Sequence, residues 1–266
     1  MKVFCETRKS HAWNEDRFIL GDDYFLVIDG ATPLIKEGNV NLACYMVSYI
    51  KKHINSLEGS LKERLEHLSM KLKEELNIPL QDKAYLPSAS LSYVELKDNL
   101  VHIGILGDCE VVIRTKDDKV LRFNKVDLCR LDALALKKQI EIAKEKNISI
   151  LSARKHIQEL LIKNRRSLNT KDGYSAFTIG EASLDIDEYD VDLNIVKEIY
   201  LYSDGFASSF NTFKIYENAN DMFKSSIDLK EEIGKIKEAA FSDKYCNKYP
   251  RFKKIDDITV IKIQFN

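Results

Sequence analysis

Between residues 89 and 123 the chain runs through four β-prone apolar segments joined by very short connections, and this most narrows its possible folds. The segments are ASLSYVEL, LVHIGIL, EVVIR and KVLRF, broken by KDN, Gly107-Asp108 and TKDD. Apolar runs bounded by Asp, Asn and Gly are a hairpin signal. Parallel strands need crossovers of a dozen or more residues, so connections this short exclude a βαβ repeat here. The stretch reads as an antiparallel meander.

Helical patterns flank it. Leu42, Met46, Ile50 and Ile54 make one apolar stripe, on a helix beginning at about Asn39. Leu61, Leu65, Leu68, Leu72 and Leu76 make a second. Residues 130–166 return to helical periodicity, with Asn147 or Ser149 as cap of a further helix. Residues 229–241 read as helix, weakened at Gly234 by about 1 kcal/mol. Further strands are expected at RFIL, YFLVI, YSAFTIG, IVKEIYLY and ITVIKIQF. This mixed order predicts antiparallel sheets covered by helices, an α+β arrangement. With 10 Gly and 4 Pro and no linker-like stretch, residues 1–266 read as one domain.

The charge balance, 41 basic against 42 acidic residues, gives no global attraction to nucleic acid or anionic membrane. No apolar run is long enough for a signal peptide or a membrane span. Five scattered cysteines without a CxxC pair argue against a zinc knuckle and fit free thiols in a reducing cytoplasm.

Four of the β runs abut an aspartate. Asp29 follows YFLVI, Asp108 follows VHIGIL, Asp204 follows EIYLY and Asp256 precedes ITVIKI. The first three stand at strand C-termini and the last at an N-terminus. An antiparallel last strand therefore brings all four to one end, where Glu15-Asp16 can join them. Clustered carboxylates repel and their pKa values rise. Hard divalent cations relieve this, and Mg²⁺ and Mn²⁺ favour oxygen ligands in octahedral geometry.

These residues resemble motifs of the metal-dependent protein phosphatases, the type 2C serine/threonine phosphatases. Asn14-Glu15-Asp16-Arg17 is similar to the first acidic motif, and Val27 to Gly30 to the aspartate-glycine metal motif. Pro87-Ser88-Ala89-Ser90 through Gly107-Asp108-Cys109 resembles the "GST…GDS" hairpin. Tyr202 to Gly205 resembles "SDG", and Asp256-Asp257-Ile258-Thr259-Val260 resembles "DNxTV". The motifs occur in family order over nearly the whole chain. Asp172 to Tyr174 and Tyr249 to Arg251 resemble a bacterial branch.

The resemblance implies a four-layer α-β-β-α sandwich and hydrolysis of phosphoserine or phosphothreonine in a phosphorylated protein. It implies two Mn²⁺ or Mg²⁺ ions, with Asp29 bridging them, the Gly30 carbonyl on one, and Asp204 and Asp256 on one. Glu15 and Asp16 would act through waters, and a metal-bridging hydroxide would attack phosphorus directly. Asp29, Asp204 and Asp256 are thus the catalytic candidates.

Three positions depart from the family. His11 stands where the phosphate-gripping Arg often lies; Arg8, Lys9 and Arg17 are near but out of register, which leaves His11 and Arg8 as phosphate-binding candidates. Ala31 replaces a proposed general-acid His. Asp108 matches one ligand of a weaker third ion, but Ser208 replaces the other. The helical segment at about 130–170 falls where the family has a variable flap. Its 130–166 stretch holds ten Lys/Arg against four acidic residues, a basic surface that could steer anionic substrates. Besides an active enzyme, the departures leave open a catalytically weak relative that acts as a regulatory binding module.

Overall fold

The computed structural model describes residues 1–36, 40–77 and 82–265. The first elements are β1 (Lys2–Arg8), β2 (Asp16–Leu20), β3 (Tyr24–Ala31), α1 (Leu42–His53) and α2 (Leu61–Leu76). Then come β4 (Ser88–Lys97), β5 (Leu100–Leu106), β6 (Glu110–Thr115), β7 (Val120–Phe123), α3 (Asp127–Lys146), α4 (Ile150–Ala153) and α5 (Gln158–Arg166). The chain continues through β8 (Phe177–Thr178), β9 (Asp187–Asp192), β10 (Val196–Tyr202), α6 (Asp204–Asn211), α7 (Ala219–Phe223), α8 (Leu229–Ser242) and β11 (Ile258–Gln264). The strands form two antiparallel sheets, β1-β11-β10-β6-β7 and β2-β3-β4-β5-β9, with β8 pairing to β4.

Period-two alternation builds the layers. On β3, Phe25 and Val27 share a core with Ile199, Leu201, Ile261 and Ile263 of the other sheet. The intervening Tyr24, Leu26 and Ile28 pack against Met46 and Ile50 of α1 and Leu65 and Leu68 of α2. On β10 the roles are split the same way: Tyr200 and Tyr202 face Phe206, Phe223, Ile233 and Ile236 of the helices on that side. The result is the α-β-β-α sandwich. Each fully buried Val, Ile or Leu in it contributes roughly 1.5–3 kcal/mol.

The helix stripes lie where the spacing places them. The expected helix start at 39 falls outside the described residues; Asn41 caps α1 by accepting from Cys44 N at 2.9 Å. Ser60 and Glu63 form a capping box on α2. Of the two alternatives in the basic segment, Ser149 N-caps α4, while Asn147 ends α3 in the left-handed region with φ 51°.

The meander differs from expectation. β4 and β5 belong to one sheet, β6 and β7 to the other, so the chain changes sheets at Gly107-Asp108. Gly107 has φ +79°, and a Cβ there would lie 2.2 Å from Ser90 Oγ. This crossing, which a hairpin pattern cannot reveal, carries Asp108 to the seam between the sheets. The expected strand YSAFTIG shrinks to Phe177–Thr178. β1 and β9, both sheet edges, went unread because charged residues dominate their exposed positions.

Candidate active site

Register lays the carboxylates in a row. Asp16 on β2 pairs directly with Asp29 on β3, and Asp29 pairs with Ser90 on β4. Directly opposed residues point to the same face, and like charges there are destabilising. Asp29 continues the Phe25–Val27 face, so this row lies where the inter-sheet core opens at one end. Ser90 Oγ accepts from Asp108 N at 3.1 Å, which adds the residue from the sheet crossing.

The facing sheet supplies the remainder. Asp204 follows β10 and Asp256 precedes β11; Ser203 N donates to Thr259 O at 3.0 Å, holding these strand ends together. Gly205 is required by close approach, since a Cβ there would lie 1.9 Å from Asp257 O. Asp257 was read only as part of a motif, and its role emerges here. Its Oδ1 accepts from Ser10 N at 2.6 Å and Ser10 Oγ at 2.7 Å, and its Oδ2 from Glu15 N at 2.7 Å. It thereby fastens the loop bearing the first acidic motif to the start of β11. Asp257→Ala leaves these donors unmatched, and we expect a loss of about 2–4 kcal/mol together with weaker divalent-ion binding. A chemical melt and an ion titration check both; an unchanged midpoint would remove the fastening role.

Glu15 is held from the other side. Its carboxylate accepts from Thr32 Oγ1 at 2.6 Å and Asn41 Nδ2 at 2.7 Å. Thr32 thus has a local function, holding the Glu15 carboxylate from the end of β3.

The electrostatics are those of crowded acids. Asp16 is 1% exposed, and burial followed by Asp256 and Asp257 pushes its pKa up to about 7. The neighbouring hydroxyls of Ser203 and Thr259 act the other way without closing a well-formed hydrogen bond. Asp29 is raised well above the carboxylate range by burial, then by Asp16, Asp204, Asp256 and Asp108. Asp204 is raised by burial, Asp256 and Asp108, with Lys253 opposing. Asp108 is raised by burial, with the Ser90 hydroxyl beside its carboxyl opposing.

The residues present fit divalent ions. Both oxygens of Asp16 and Oδ1 of Asp204 are buried without a hydrogen-bond partner. Orphaned acceptors of this kind normally carry a cost of about 1–3 kcal/mol each, more when charged. Among the described residues no three Asp, Glu, His or Cys side chains are drawn together tightly enough to enclose an ion alone. Carboxylate and carbonyl oxygens are the donors preferred by hard ions that keep several waters and take one or two carboxylates, as Mg²⁺ does.

These acids floor a cleft of about 470 Å³ that Glu15, Asp29, Gly30, Asp108, Asp204 and Asp256 all line. Asp16 lies beneath it. Arg8 and His11 do not line it: Arg8 Nη2 pairs with Glu6 at 2.7 Å, and His11 is exposed. Arg17 is also turned away, bonding Asn14 O and Asp16 O at 2.6 Å. Ser208 Oγ donates to Gly205 O at 2.6 Å within α6.

The cleft's cations come from elsewhere: Lys36, Arg154, Arg165 and Lys253. Lys253 pairs with Asp256 at 2.5 Å. It reaches the cleft because Arg251 anchors its loop, with Nη1 2.8 Å from Asp243. Asp132 on α3 also lines the cleft; burial and Asp108 push it up to about 7, against Arg165, Lys253 and Arg154. Arg154, Gln158, Leu161 and Arg165 all line one wall. Arg154 stands in the 3₁₀ turn that joins α4 to α5, while the i, i+3, i+7 spacing of Gln158, Leu161 and Arg165 puts those three on one face of α5, a signal present in the sequence and missed beside the segment's overall basicity.

Known structures supply the comparison. No family model matches this sequence, and neither does any curated protein. Among solved structures, the serine/threonine phosphatase Stp1 of Staphylococcus aureus is similar at TM-score 0.57 and 13% identity, covering 100% of this chain and 94% of that one. The serine/threonine phosphatase PstP/Ppp of Mycobacterium tuberculosis is similar at 0.58 and 13%, covering 100% and 98%. A PstP catalytic domain in complex with two manganese ions is similar at 0.56 and 12%, covering 98% and 96%.

Proposed function

We infer the function from a fold that this chain shares with solved bacterial serine/threonine phosphatases. We propose that residues 1–266 form one catalytic unit, a Mn²⁺- or Mg²⁺-dependent phosphatase acting on phosphoserine or phosphothreonine in proteins. The observation that carries this reading is the gathering of Asp29, Asp108, Asp204 and Asp256 from both sheets onto one cleft floor above Asp16, with buried oxygens on Asp16 and Asp204 that no described residue satisfies.

Asp29, Asp204, Asp256 and the Gly30 carbonyl would hold two ions, Glu15 and Asp16 would act through waters, and Asp108 would reach a weaker third position. When bound, such ions ease deprotonation of a water and offset charge on the phosphoryl oxygens. The chain's own residues do the positioning. Thr32 and Asn41 fix the Glu15 carboxylate, and Asp257 fixes the loop behind it. Phe252, Leu34 and Leu161 form an apolar side of the cleft and limit water there. Lys253 offsets the charge of Asp256.

The balanced charge, 41 basic against 42 acidic residues, gives the proposed enzyme no general attraction to nucleic acid or anionic membrane. No helix among the described residues is long and apolar enough to cross a membrane. The proposed partner is a phosphoprotein, and free thiols without a CxxC pair fit the reducing cytoplasm proposed for both.

Hydrolysis of an aryl phosphate and of a phosphothreonine peptide, in chelator, Mg²⁺ or Mn²⁺, tests the proposal. Turnover of both that vanishes in chelator is expected. Ion binding by calorimetry without turnover would move the reading to a binding module, in which Ala31 in place of a proton donor is the departure that matters.

A further inference from the structure

His11 occupies the family's phosphate-gripping position yet stands outside the cleft, while the cleft carries two arginines of its own. Arg165 is 8% exposed, and its Nη1 donates to Leu86 O at 3.1 Å. Arg154 is half-buried, its Nη1 donates to Gln158 Oε1 at 2.9 Å, and it packs 6.0 Å from the Phe252 ring centroid. Both anchors are uncharged. Arg114, Arg122, Arg166 and Arg251 each pair with a carboxylate; Arg154 and Arg165 do not, among the described residues.

A guanidinium has five donors in a fixed fork, so each of these two keeps most of its hydrogen-bonding capacity. Cations sheltered from water without an ionic partner are unfavourable. Asp132 is close enough to favour their charge but makes no ion pair with either. The arrangement is two held forks lining one cleft, one from the 3₁₀ turn before α5 and one from α5, together with the carboxylates of its floor.

We propose that Arg154 and Arg165 together bind the phosphoryl group of the substrate and of the phosphate product, in the role that the family gives to the residue replaced by His11. Planar forks match phosphate oxygens in pairs, which a lysine or a neutral imidazole cannot do. The inference rests on the phosphatase reading for what the bound phosphoryl group is doing there. It separates two neighbours that the sequence treats alike: Arg165 faces the cleft, while Arg166 faces solvent and pairs with Asp82 at 2.7 Å.

The test measures inorganic phosphate binding by calorimetry in Mn²⁺, alongside kcat and KM for an aryl phosphate. Arg154→Gln and Arg165→Gln should each weaken phosphate binding about 10- to 100-fold and raise KM in parallel, with a smaller change in kcat. Lysine at either position should recover only part of the loss, and Arg166→Gln should leave both readouts unchanged. Should Arg165→Gln melt early, Arg165→Lys and the half-exposed Arg154→Gln carry the test.

Phosphate binding kept within about twofold in variants that melt like the native protein overturns the inference, as does a native protein that binds no phosphate. Native turnover with indifferent arginines sinks this inference alone. Absent turnover with arginine-dependent phosphate binding sinks the catalytic reading and leaves the inference standing.

Discussion

Asp29→Asn is expected to raise the melting temperature of the metal-free protein while abolishing ion-dependent hydrolysis. Asp29 sits directly opposite Asp16, and Asp204, Asp256 and Asp108 all add to its raised pKa. Replacing it with an isosteric amide removes one charge from the cluster and changes no packing volume. Relief of about 1–3 kcal/mol is expected at pH 8, or several degrees for a domain of this size. The same substitution removes a carboxylate that would hold the ions in the proposed enzyme. Activity should fall by at least about 10³-fold, and the melting temperature should no longer rise with Mn²⁺. Native protein in excess Mn²⁺, at about 100 times the dissociation constant, should by contrast gain about 2.7 kcal/mol. Scans of both proteins in chelator and in Mn²⁺ decide it. An Asn variant that melts lower than the native chain in chelator would mean that these carboxylates are satisfied internally, and the ion-site reading would lose its physical basis.

Much of this site could be read in the sequence because strand ends announce themselves. Asp29, Asp108, Asp204 and Asp256 each adjoin an apolar run, and a run's end is visible without knowing its partner strand. The Asp16–Asp29 pairing was not visible, because register depends on which strands are neighbours. The change of sheet at Gly107-Asp108 was hidden for the same reason: a turn pattern shows that the chain reverses, and not which sheet receives it.

The phosphate-binding expectation used position in sequence, and the structure sets Arg8 and His11 apart from the cleft. The cations inside it arrive by way of tertiary packing. Arg165 reaches in because Leu161 and Ile157 pack with Ala135 of α3 and with Leu34 and Phe252. Which side of α5 and of the turn before it faced inward was not legible, since Arg154, Gln158 and Arg165 lack the apolar character by which an inward face is normally recognised. Asp257 was obscured by its neighbour, since one of two adjacent aspartates faces the cleft and the other holds backbone N–H groups behind it.

In chelator, the protein is expected to lose stability as pH rises from about 5 to 8, opposite to ordinary acid denaturation. Burial with Asp256 and Asp257 pushes Asp16 up to about 7, and Asp29, Asp204 and Asp108 are also raised. In the unfolded chain such groups ionise near pH 3.9, so between that value and the raised one the native state holds protons that the unfolded state has released. Their contribution to stability is therefore full below about pH 4 and lost as pH climbs through about 7 for Asp16. The difference across this window is on the order of a few kcal/mol. Carboxylates with lowered values, such as Asp243 beside Arg251, act in the opposite sense but titrate below the window. Divalent ions compete with the same protons, so stabilisation by Mn²⁺ should be small at pH 5.5 and large at pH 8. Denaturant midpoints at those two pH values, with and without Mn²⁺, provide the measurement. A metal-free protein that is more stable at pH 8 than at pH 5.5 would show that the cluster carries less mutual repulsion than its geometry implies, and the case for ions as its natural counter-charge would fail with it.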